Sequence, residues 1–66
     1  MRLRINKEDD ALYLKLDETR IVESEEVQPG IILDYDDIGR VIGIEMLGLS
    51  DRIPLDQIKH VELETT

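Results

Sequence analysis

Residues 31–47 read IILDYDDIGRVIGIEML, two apolar runs flanking the turn sequence Asp36-Asp37-Ile38-Gly39. Such a segment predicts a β-hairpin closed by a type I turn, with Gly39 left-handed as a bulge. In that register Tyr35 faces Val41, Leu33 faces Gly43 and Ile31 faces Glu45. The opposite side sets Ile32 against Ile44, with Ile42 and Met46 beside them. Both sides are mainly apolar, the pattern of a strand pair covered twice. Gly43 leaves a gap that a neighbouring ring such as Tyr13 crosses. One cover comes from the chain itself, and a second copy is expected to supply the other. Ile31, Ile32, Leu33, Tyr35, Ile42, Ile44 and Met46 are therefore the expected core or dimer-interface residues.

Outward from the hairpin, period-two alternation marks further strands. Arg2-Leu3-Arg4-Ile5-Asn6 alternates polar and apolar, and Leu12, Leu14 and Leu16 share one face of a second strand. Ile21 to Val27 reads as an edge strand, because Glu23, Glu25 and Glu26 block further pairing. Gln28-Pro29-Gly30-Ile31 suits a type II turn, although a sharp bend in one long strand also satisfies it. Pro54 to Lys59 predicts a short helical turn, with proline early and lysine late. His60 to Glu64 alternates again and suggests a closing strand. The expected fold is one domain over residues 1–66, mainly β with minor α (α+β). It is an antiparallel meander of four to five strands with one short helical turn near the C-terminus.

Sixty-six residues lie near the lower limit for folding without disulfides or a metal, so self-association is the expected supplement. There is no cysteine and one histidine, which removes thiolate sites and most zinc, copper and iron geometries. The lack of cysteine fits a cytoplasmic protein, and the chain shows no signal-peptide pattern and no apolar run long enough for a membrane span. Sixteen acidic against eight basic residues give a net charge of −8. That charge repels phosphate backbones and argues against nucleic acid. It suits solubility or a small basic protein partner. Glu23, Glu25 and Glu26, with Asp36 and Asp37 at the hairpin tip, are the expected partner-facing acids.

Asp34, Asp36, Gly39 and Glu45 fall at positions 1, 3, 6 and 12 of an EF-hand-like string. Ile38 stands at position 5, where an oxygen ligand belongs, and the flanks read as strands, so no metal site is expected. His60 has no visible catalytic partner, and no serine or threonine sits in a nucleophile-elbow or glycine-rich context. The pairs Asp9-Asp10 and Glu25-Glu26 need no acid-base explanation in so acidic a chain. Tyr13 and Tyr35 are too few for a base-stacking platform and read as core or interface anchors. No enzyme and no cofactor is expected.

With these residues laid out, the chain resembles the small prokaryotic family called domain of unknown function 2283. The resemblance rests on Asp10-Ala11-Leu12-Tyr13-Leu14, Glu25-Glu26-Val27 with Pro29-Gly30, Leu33-Asp34-Tyr35-Asp36, and Gly39 to Glu45 running on to Leu47. It covers residues 2 to about 50. The chain departs from the pattern at Asn6, where an aromatic followed by an acid is common, and at Ile38, where a small or acidic turn residue is commoner. The resemblance implies a compact β-rich protein with no established activity and no catalytic residues to transfer. Some relatives look like antitoxins of small basic ribonuclease-like toxins, which makes such a neutraliser the alternative to a structural homodimer or protein-interaction module.

Overall fold

The computed structural model describes residues 1–66, the Leu55 side chain excepted. Five antiparallel strands form one open sheet: β1 (Arg2–Asn6), β2 (Ala11–Lys15), β3 (Glu23–Gln28), β4 (Ile31–Tyr35) and β5 (Val41–Leu47). Their spatial order is β1-β2-β5-β4-β3. Hairpins join β1 to β2, β3 to β4 and β4 to β5, as in a meander. The link 16–22 instead runs along one end of the sheet, where Leu16 N–H donates to the Ile42 carbonyl and Val22 N–H to the Tyr35 carbonyl, so that β5 lies between β2 and β4.

Both turns of the β3–β4–β5 unit follow local chemistry. Pro29-Gly30 makes a tight turn, with Gly30 at φ +80°, and β3 and β4 are separate strands. At the second turn Gly39 sits at φ +83°, its N–H donates to the Asp36 carbonyl at 3.2 Å, and Asp36 N–H donates to the Arg40 carbonyl at 3.0 Å. β3 begins at Glu23, two residues later than its alternation suggests, although Val22 N–H still reaches the Tyr35 carbonyl at 2.8 Å.

The hairpin register differs from expectation beyond its first pair. Tyr35 pairs with Val41, but a bulge inserts Ile42, after which Asp34 pairs with Gly43, Leu33 with Ile44, Ile32 with Glu45 and Ile31 with Met46. One extra residue changes which side chains share a face. Apolar residues therefore collect on one face instead of two.

No α-helix occurs among the described residues, so the α+β label overstates the helical part. The chain after β5 makes two three-residue 3-10 turns, Leu49–Asp51 and Leu55–Gln57. Pro54 lacks an N–H and restricts the residue before it, which keeps the two apart. The expected closing strand is absent: residues 60–66 are exposed and belong to no ladder.

The first 3-10 turn is sealed to the sheet. Leu49 N–H donates to the Asp10 carbonyl at 2.9 Å, while Ser50 donates from its N–H and its hydroxyl to the two Asp10 carboxylate oxygens at 2.9 and 2.7 Å. Arg52 Nη2 donates to the Pro29 carbonyl at 3.1 Å. These bonds hold Leu49 at 1 % exposure, and Leu49 and Ile42 are the buried hydrophobic residues of the described chain.

Candidate functional site

Strand register assembles two apolar rows on one face. Leu3, Leu14, Ile44 and Leu33 run across β1, β2, β5 and β4, and Ile5, Leu12, Met46 and Ile31 run beside them. Alternation keeps each strand's two contributors on the same side. None of the eight is buried, and Leu3 is 42 % exposed. One margin of this face carries some cover, where Ile5, Leu49 and Ile58 line a cleft of about 190 Å³ with Lys7 and Lys59. A sheet face of eight aliphatic side chains that stops short of burial has the chemistry of a contact surface.

The other face is polar. Asp34, opposite Gly43, is 6 % exposed, and its carboxylate accepts from the Tyr13 hydroxyl at 2.6 Å and the Ser24 hydroxyl at 2.5 Å. Tyr13 thus crosses Gly43, as its lack of a side chain suggests, but reaches for a carboxylate. A Cβ at Gly43 would run into the Tyr13 hydroxyl and stand 3.0 Å from the Asp34 carboxylate. Ser24 and Asp34 carry no sequence signal of this role. Ser24 meets Asp34 as its direct partner in the β3–β4 ladder, whereas Tyr13 reaches Asp34 across β5 only because the bulge at Ile42 sets Gly43 opposite Asp34.

Desolvation, then the hydrogen bond to Asp34 and its negative charge, pushes the Tyr13 phenol up to about 12 from an ordinary 10.0. A group whose pKa is raised by folding stabilises below its unfolded pKa and ceases to as pH climbs through the folded one. Tyr13 therefore withdraws its contribution between pH about 10 and about 12. Urea midpoints measured across that window should fall more steeply for the wild type than for Tyr13→Phe. Parallel curves would show that the phenol is not coupled to folding.

The expected partner-facing acids are dispersed. Glu23, Glu25 and Glu26 are exposed along β3, an edge of the sheet, and Asp37 is exposed at the hairpin tip. Asp36 is not partner-facing: it is 3 % exposed and committed to the turn. Burial alone would raise its pKa. Hydrogen bonds from Arg40 N–H at 2.8 Å, Arg40 Nε at 2.8 Å and Ile38 N–H at 3.1 Å, with the Arg40 charge, outweigh burial and hold it below the usual carboxylate range.

Of the expected core or interface residues, Ile42 is buried at 3 %, while Ile31, Leu33, Ile44 and Met46 are half-buried on the apolar face. Ile32 pairs with Glu45 and so belongs to the polar face, and Tyr35 is half-buried at the end of β4. The EF-hand-like string is taken up by structure: Asp34 serves Tyr13 and Ser24, and Asp36 serves the turn. His60 is exposed. No helix among the described residues is long and apolar enough to cross a membrane.

No curated protein and no solved structure matches the chain. A family model does match, from the first residue of β1 to Ser50, so it takes in all five strands and the two residues that bond to Asp10. Matched over residues 2–50 by the model for DUF2283, "Protein of unknown function", the chain belongs to that family.

Proposed function

We propose that this protein is a non-enzymatic cytoplasmic module that acts as a homodimer, two copies closing their apolar rows on each other. The observation that carries the reading is the pair of rows, eight aliphatic side chains with none buried. Surface area supports it. The chain exposes 5258 Å², whereas a folded monomer of 7.6 kDa exposes about 4,300 Å² by size scaling. The excess, about 1,000 Å², is comparable with the roughly 800 Å² that each partner buries in a standard interface. Open rows and exposed residues 60–66 are its two visible sources. Sedimentation at micromolar concentration tests the reading, with a dimer mass expected. A monomer with a concentration-independent melt would defeat it.

A second reading, neutralisation of a small basic protein in the manner of an antitoxin, draws on β3, whose six residues are all exposed and include Glu23, Glu25 and Glu26. Long-range attraction between exposed charges is screened beyond about 8 Å at physiological salt. Capture of such a partner should therefore slow as salt rises and with Glu25→Lys/Glu26→Lys, while fold and dimer mass stay unchanged. Stopped-flow association rates indifferent to both would leave the acids a role in solubility alone.

A further inference from the structure

We propose that the free edge of β1 accepts residues 60–64 of a second copy as an added strand. β1 pairs only with β2, so its outer backbone groups have no ladder, and an unpaired edge is a template for another strand. The inference rests on the homodimer reading and adds a second contact to it.

The match lies in alternation and charge. β1 presents Leu3 and Ile5 on the apolar face and Arg2 and Arg4 on the polar face, and it carries no acid. Residues 60–64 read His-Val-Glu-Leu-Glu. Laid antiparallel, they set Val61 against Ile5, Glu62 against Arg4, Leu63 against Leu3 and Glu64 against Arg2. Every apolar residue then meets an apolar one, and every arginine meets a glutamate, the pairings that stabilise neighbouring strands. Five residues at about 3.3 Å each also span the five-residue strand.

The other edge offers no such fit, because β3 carries Glu23, Glu25 and Glu26 against the same acids. Symmetric pairing of like edges fails too, by setting arginines on arginines or glutamates on glutamates. In the structure residues 60–64 lie outside their own sheet, with Val61 61 % and Leu63 78 % exposed. That arrangement leaves β1 open and the segment available to a neighbour. Mutual donation by two copies uses both edges and both segments and closes a two-fold dimer.

Mixing charge-reversed chains tests the assignment. One chain carries Arg2→Glu/Arg4→Glu, the other Glu62→Lys/Glu64→Lys, and a third carries all four changes. All four sites are exposed, so circular dichroism should match the wild type. Sedimentation should show the dissociation constant of each two-site chain raised by about ten-fold. An equimolar mixture should regain the wild-type value, because each edge then meets a segment of opposite charge. Two-site chains that dimerise like the wild type would overturn the proposal. So would rescue in the four-site chain without rescue on mixing, which assigns the segment to its own edge, and so would rescue in neither. A wild type that is monomeric throughout defeats the homodimer reading itself, a result distinct from these.

Discussion

Ile44→Asp should turn the protein into a monomer or unfold it, the larger of the two effects expected here. Ile44 lies in the row Leu3-Leu14-Ile44-Leu33, on a strand flanked by β2 and β4. A carboxylate there, with leucines on either side and no cation in the row, loses hydration when the face is covered. An uncompensated buried charge costs several kcal/mol or is neutralised by a shifted pKa. Sedimentation and a urea melt read both branches. A variant that keeps the wild-type dimer mass would show that the contact lies elsewhere. Ile32→Asp is the comparison, since Ile32 is on the polar face and should leave the mass unchanged.

Gly43→Val should destabilise the fold itself by about 1–3 kcal/mol, the usual cost of forcing atoms into a filled site. The new Cβ falls where the Tyr13 hydroxyl now rests and 3.0 Å from the Asp34 carboxylate. Displacing the phenol would leave Asp34, at 6 % exposure, with one hydroxyl donor in place of two. Chemical denaturation gives the loss directly. Tyr13→Phe in the same background checks the cause: it removes the clashing hydroxyl, so the two changes together should cost less than their sum. Strict additivity would mean that the hydroxyl is not what the valine strikes.

These effects trace to features that differ in how far sequence exposes them. Turns are local, and both Pro29-Gly30 and Asp36 to Gly39 are readable because each demands a particular backbone conformation. β1 and β2 are readable because alternation is a property of consecutive residues. The bulge at Ile42 is not, since neither register of the hairpin carries a local penalty visible in the chain. Without it the apolar residues spread over two faces and Asp34 does not come opposite Gly43, where Tyr13 reaches it. Asp36 misleads for a related reason: an acid at a turn is as readily a cap as a surface charge, and its partners decide. At residues 60–64 the alternation is genuine, but within one chain no neighbouring strand completes it.

The position of β5 also governs the order of events during synthesis. A two-stranded hairpin is at best marginally stable in water, so β1 and β2, which leave the ribosome first, cannot hold their structure alone. β2 finds its second neighbour only when residues 41–47 have been made, roughly thirty positions later. β3, β4 and β5, joined by tight turns, zip together from local contacts, and nonlocal closure of β5 onto β2 follows as the slow step. Until then Leu12 and Leu14 are carried on a nascent chain with an unfilled strand edge, the interval in which this small protein is most open to aggregation and to chaperone capture.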